Sequence, residues 1–181
     1  MINVKTKSIW PVSPAEVKSH LRIDPDDFDN DSYIEKITIP AATRDCENFI
    51  GKDLALTSNV LTIERFSSNG IRIDAGNLIS VDYVITDAST LITDYTLVKE
   101  RDYFTLEFNS SVTSDPLKIE FKTGYQDGEC PEDIKLSILM KCADSYDVER
   151  SSYALQSYRK NEIDGIEIVK RRLMPHKIIL W

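Results

Sequence analysis

The sequence predicts an α+β fold: a small helical core, in which N-terminal and C-terminal helices pack together, with an inserted antiparallel β segment of about six strands. Three observations predict it. Apolar residues recur at three and four spacings near both ends of the chain, they alternate between Leu54 and Tyr125, and capping or turn residues punctuate each change of period. The expected division is 1–54 with 126–181 as the helical core plus a C-terminal tail, and 55–125 as the inserted β segment.

The first element starts at Ser13-Pro14-Ala15-Glu16, where a Ser N-cap, a Pro at the first helical position and a Glu three residues on can satisfy the orphan donors of a helix start. Val17 and Leu21 share one face of a short helix from Pro14 to about Leu21, and Asp24-Pro25 breaks it. The carboxylate-dense loop Asp24 to Asp31 leads into Ser32-Tyr33-Ile34-Glu35, a second capping-box pattern. From Ser32 to Ile50 the residues Tyr33, Ile34, Ile37, Ala41, Ala42, Cys46, Phe49 and Ile50 form an amphipathic stripe, with Gly51 as a left-handed C-cap. Pro40 lies inside this stripe, where a missing donor predicts a kink or short break.

In the middle, Val60 to Phe66 is β-branched and alternating, Asn69-Gly70 signals a tight hairpin, and Ile71 to Ile73 reads as the returning strand. Ile79 to Ile85, Tyr95 to Val98, Tyr103 to Phe108 and Leu117 to Phe121 complete a meander-like set, with turns at Asp74 to Asn77 and Ser114 to Pro116. Beyond Gly124 the period is helical again, with Cys130 as N-cap, Pro131 first, and a broad stripe of Ile134, Ile138, Leu139, Cys142 and Tyr146. The stretch from Ser152 to Asn161 is polar with Tyr153, Leu155 and Tyr158, Gly165 marks a break, and Ile166 to Val169 reads as β-like. The end carries Lys170, Arg171, Arg172 and Lys177 with no acid after Glu167, a +4 apolar-basic tail.

With 181 residues, 41% hydrophobic and 29% charged, the chain suits one folded domain or a core with one insertion. A formal charge of −8 argues against a general nucleic-acid binder, which needs a basic surplus over an extended face. No apolar run is long enough for a membrane span and no h-region follows Met1 to Ser8, so the chain is expected to be neither a membrane nor an exported protein. An odd count of cysteines, Cys46, Cys130 and Cys142, suits a reducing compartment and buried free thiols.

Chemistry is hard to place on these residues. Asp27, Asp29 and Asp31 have the first spacings of a calcium loop, but Ser32 stands where the sharp turn needs Gly and Thr38 where the bidentate Glu belongs, which favours a solvated loop. The cysteines show no zinc spacing, and of the two histidines, His20 and His176, only His20 is placed to serve Cys46 as a base. No nucleophile elbow, phosphate loop or dinucleotide fingerprint occurs. No catalytic residue, metal ligand or cofactor is therefore expected. The apolar residues Leu173, Met174, Ile178, Ile179, Leu180 and Trp181 of the tail should dock on this chain's own core or on another subunit, because each large apolar side chain gains about 1.5 to 3 kcal/mol on burial.

Taken in order, Ser13-Pro14-Ala15-Glu16-Val17-Lys18-Ser19-His20-Leu21-Arg22-Ile23-Asp24, the acidic loop, Tyr33-Ile34 leading to Ala41-Ala42 and Ile50-Gly51-Lys52 resemble the N-terminal signature of the tailed-phage head-tail connector (adaptor, or head-completion) family. Leu78 to Val84 resembles its first β motif. Lys122 to Tyr125, Cys130 to Lys135 and Tyr146 to Arg150 resemble its last helix, and Leu173-Met174-Pro175-His176-Lys177 its ending, with His176 in place of an aromatic. The resemblance implies a non-enzymatic virion protein at the head-tail interface, made in the host cytoplasm. It implies a homo-oligomeric ring, typically of about twelve subunits, under the portal protein, with a tail-side connector, stopper or tail terminator as the other partner. Viral DNA would pass through without sequence-specific binding, and no membrane is involved.

An acidic wall suits such a channel, because like charge avoids trapping the sliding duplex. By position in the family, Lys170, Arg171, Arg172, Leu173, Met174, Ile178, Ile179, Leu180 and Trp181 are expected to touch the portal or a neighbouring subunit, and a chain lacking 173–181 to fold but not attach. The alternatives are a non-enzymatic binding module of another phage or host assembly, and a small cytosolic hydrolase.

Overall fold

A computed structural model describes residues 2–64, 70–86, 90–109, 116–150 and 158–178, and over them the fold is α+β with two antiparallel sheets. The chain divides into two compact units: one takes the residues up to Ile9 with Lys52–Gln126, the other Trp10–Gly51 and the residues from Asp127 on.

The first unit holds the seven strands β1 (Ile2–Ile9), β2 (Leu56–Ile63), β3 (Gly70–Ile73), β4 (Leu78–Thr86), β5 (Tyr95–Lys99), β6 (Phe104–Phe108) and β7 (Leu117–Thr123). They form a four-stranded sheet in the order β1-β2-β7-β4 and a three-stranded sheet in the order β3-β6-β5. The strand beyond the expected six is β1, which lies at the edge of its sheet and carries lysines in its sequence, as suits a sheet edge. Two register irregularities, between Val4 and Thr6 and between Lys7 and Ile9, bend it along β2.

The meander expected from the alternation is not formed. β2 pairs with β1 and β7, β7 pairs with β4, and among the described strands β5 and β6 make the one hairpin of chain neighbours. The strands flanking Asn69-Gly70 fall in different sheets, so the tight hairpin expected there is corrected as well. Gly70 instead opens β3 opposite Glu107, while Asn69 and the turn residues Ser114 and Asp115 lie outside the described residues. Alternation fixes which face of a strand is apolar, but not which strand it pairs with.

The apolar faces of the two sheets meet in one core of Ile71, Ile73, Phe104, Leu106 and Phe108 from β3 and β6, and Val84, Leu117, Ile119 and Phe121 from β4 and β7. Phe104 and Phe121 cross edge to face, with ring centroids 5.2 Å apart.

The second unit is helical: α1 (Pro14–Leu21), α2 (Asp31–Tyr33), a π-helical turn (Ile34–Thr38), α3 (Ile39–Ile50), α4 (Glu132–Arg150), α5 (Tyr158–Leu173) and a 3-10 turn (Met174–His176). Ser13 and Glu16 close a capping box, with the Glu16 carboxylate accepting from the Ser13 N–H at 2.7 Å. The second expected box is absent: helix starts at Asp31, after Asn30, with no side-chain cap. Pro40 produces no break. The N–H of Ile39 reaches back to the Ile34 carbonyl, so the helix widens into a π turn just before the residue that cannot donate. Gly51 caps α3 in the left-handed region at φ 78°.

Pro131, not Cys130, ends the approach to α4, and its carbonyl accepts from Ile134 and Lys135. Ile134, Ser137, Ile138, Cys142 and Tyr146 of α4 are buried. Gly165 does not break the chain, and Ile166 to Val169 is helix, not strand. Ile166, Val169 and Leu173, three and four apart, line one crevice with Cys46, Phe49 and Lys141, and that packing outweighs the cost of about 1 kcal/mol for a helical Gly. Of the polar tyrosine-bearing stretch, Tyr153 and Leu155 lie outside the described residues.

Gly124 follows β7 at φ +101°, and a Cβ there would stand 2.1 Å from the Ala55 carbonyl oxygen. Gly124→Ala is expected to destabilise the β unit by more than about 1 kcal/mol, measured by denaturant unfolding, because strain and clash add.

Candidate interaction surface

The structure describes six of the nine sequence-expected contact residues, from Lys170 to Met174 and Ile178. Lys170, Arg171 and Arg172 form the last turn of α5, all exposed, where the negative end of the helix dipole favours cations. Among the described residues they make no ion pair. Met174 is 59% exposed, but Leu173 is 1% exposed and belongs to the core. A chain cut before Leu173 therefore loses a buried side chain as well as its contacts, and is expected to be less stable than the whole chain.

After α5 the segment folds back on the helical unit. His176 Nε2 lies 2.7 Å from Asp133 Oδ2, Lys177 Nζ sits 4.9 Å above the centre of the Phe49 ring, and the Ile178 N–H donates to the Ile50 carbonyl at 2.8 Å. Half-buried Ile178 thus docks on this chain's own core, whereas Ile179, Leu180 and Trp181 lie outside the described residues. Burial alone would raise the Asp133 carboxyl, but the His176 hydrogen bond and charge outweigh it and hold it below its usual value.

The acidic loop is built from local turns. The Asp26 and Asp29 N–H groups donate to the Asp24 and Asp27 carboxylates at 3.0 and 3.1 Å. Asp31 pairs with the nearly buried Lys18, whose Nζ also donates to the Pro25 carbonyl at 3.3 Å and lies 5.0 Å from the centre of the Phe28 ring. Phe28 itself is 70% exposed. Among the described residues no three His, Cys, Asp or Glu side chains converge as a metal site. No contact brings His20, exposed on α1, to Cys46, buried in α3.

Two exposed apolar side chains are inconspicuous in the sequence. Phe28 was hidden among the aspartates, and Ile168, 45% exposed on the outer face of α5, was hidden by the alternation Ile166, Ile168 that mimics a strand. The three-four spacing of Ile166, Val169 and Leu173 was the signal that could have found the helix.

The described residues thus form a β sandwich and a capped helical unit that presents charged, partly apolar surface. The model of the phage gp6-like head-tail connector protein family matches residues 15–123, more than half of the chain, and the chain belongs to that family. It is a structural connector of the virion. In fold it is similar to a protein of the neck of an empty gene transfer agent particle computed with C6 symmetry, at TM-score 0.71 and 16% identity, covering 100% of this chain and 97% of the other. A protein of the native gene transfer agent virion matches equally, at TM-score 0.71, 16% identity and the same coverage. One from the native neck computed with C12 symmetry matches at TM-score 0.67 and 17% identity, again over 100% and 97% of the two chains. No curated protein matches the sequence significantly.

Burial pushes the thiols of Cys46, Cys130 and Cys142 up to about 12, so none offers a thiolate near neutral pH. A disulfide reagent that absorbs on reaction is expected to titrate none of the three in the folded protein and all three in denaturant. The Asp133 pair gives a pH dependence: a carboxyl held below its unfolded value of 3.8 adds stability above that pH and loses it as pH falls through the folded value. Asp133→Asn is expected to lower unfolding stability near neutral pH by less than about 1 kcal/mol for so exposed a pair, read by denaturant unfolding, and to have no effect in strong acid.

Proposed function

We propose that the protein is the ring-forming adaptor that sits under the portal, joins head to tail and extends the DNA channel. The observation that carries this reading is the likeness in fold, over the whole chain, to neck proteins in particles computed with C6 and C12 symmetry. The family match supports a connector, and a head-to-tail ring is the closed assembly that a single repeated interface generates. The chain acts without catalysis. Its work is to bind the portal on one side and a tail-side connector, stopper or tail terminator on the other, after synthesis in the host cytoplasm.

Lys170, Arg171, Arg172, Met174 and the residues from Ile178 to Trp181 supply portal or inter-subunit contacts, with Leu173 anchoring their helix from below. Arginines and an aromatic are common interface anchors. The net charge of −8 suits a channel through which a polyanion slides without being held. Native mass spectrometry of the protein alone and with its own phage's portal tests the reading. A complex near one adaptor per portal subunit is expected, and a monomer in both conditions would overturn it and leave a binding module of a different assembly.

A further inference from the structure

The end of α5 carries an unusual mixture of exposed side chains, of which Lys170 also borders the crevice of Ile166, Val169 and Leu173. Ile168 and Met174 are 45% and 59% exposed, and between them stand Lys170, Arg171 and Arg172 without an ion pair among the described residues. A phosphate backbone would satisfy the cations but not the two apolar side chains. The same unit carries the converse surface. Residues 24–31 hold Asp24, Asp26, Asp27, Asp29 and Asp31 with no Lys or Arg, and Phe28, 70% exposed, projects among them.

The acidic loop is tied to the unit through α2 and through α1, whose Glu16 lies 3.7 Å from Lys135 in the first turns of α4. Thr38, which follows the loop and α2, contacts Cys142 midway along α4, with Sγ to carbonyl oxygen at 4.0 Å. From there α3 runs back toward the start of α4, where His176 meets Asp133 just after α5 ends. Among the described residues no hydrogen bond or ion pair joins the two patches within the chain, and complementary patches on one molecule can pair between copies as a head-to-tail contact.

Resting on the ring reading above, we infer that the Ile168 to Met174 face of α5 docks on the acidic loop of a second copy, with Phe28 of that copy seated against Ile168 and Met174. Charge complementarity steers the encounter and fixes its register, while the aromatic supplies the anchor. The contact weakens with salt, because the screening length falls from about 8 Å at physiological strength to about 3 Å at 1 M.

The test uses two charge-reversal variants of the full chain. One carries Lys170→Glu, Arg171→Glu and Arg172→Glu. The other carries Asp26→Lys and Asp29→Lys, which spares the carboxylates that hold the turns and Lys18. All five side chains are exposed, and a far-ultraviolet spectrum with a thermal melt checks each fold. If the triple reversal disturbs α5, the same three residues changed to Gln serve in its place.

Native mass spectrometry with the portal reads the assembly. Each variant alone is expected to lose the multi-copy complex, and an equal mixture of the two reversals to regain it, since each reversed helix face then meets a reversed loop. Assembly of either variant at the wild-type level would overturn the inference while leaving the ring intact, as would a mixture of the two reversals that fails to regain what each has lost. A wild-type chain that never gathers on the portal would overturn the ring reading and this contact together.

Discussion

The β unit hangs on one residue, Asp53, at the point where the chain leaves α3 and becomes strand. Its carboxylate accepts from Thr123 Oγ1 at 2.5 Å on β7 and from Asn59 Nδ2 at 3.3 Å on β2, and lies 3.7 Å from Lys7 Nζ on β1. Its main-chain carbonyl accepts from Asn77 at 3.3 Å, immediately before β4. All four strands of the larger sheet are therefore tied to one peptide. The neighbouring Lys52 pairs with Asp102 at 2.7 Å in the turn between β5 and β6, which reaches the second sheet as well. Buried polar groups of this kind cost free energy when unpaired, so the network rewards one register and penalises slipped ones. Gly124 completes the arrangement, because only a residue without Cβ passes the Ala55 carbonyl there.

The helical unit obeys a different constraint, the orphaned donors and acceptors of its helix ends. Ser13 and Glu16 settle the start of α1, the π turn absorbs the missing N–H of Pro40, and Gly51 closes α3. The segment after α5 supplies a further closure, since the Ile178 N–H satisfies the Ile50 carbonyl near the end of α3. What reads in sequence as a loose basic tail is thus partly a strap across the end of the unit. Leu173 and half-buried Ile178 hold it against the unit, whereas Lys170, Arg171, Arg172 and Met174 are exposed.

That division also explains which contact residues were legible. Lys170, Arg171 and Arg172 stand out because basic residues without nearby acids are conspicuous in an acidic chain. Leu173 looks like an equal partner of Met174 in the sequence, and only packing separates the core residue from the exposed one. Ile168 was read as strand because two β-branched residues two apart fit either period. Phe28 was lost among aspartates, although an aromatic on a charged loop is the kind of anchor that an interface uses.

The sequence by itself determined the elements, because capping boxes, periods and glycine positions act over a few residues and need no distant partner. It therefore placed α1, α3, α4 and all the strands after α3 close to where they are, and put Cys46 and Cys142 on apolar faces. Only the tertiary structure decided which strands pair, that the first residues join the sheet as β1, that α5 runs through Gly165, and which tail residues are buried. Each of those outcomes depends on apolar surface contributed from far along the chain. Local propensity gives nearly equal weight to the alternatives, and burial against the distant partner selects one.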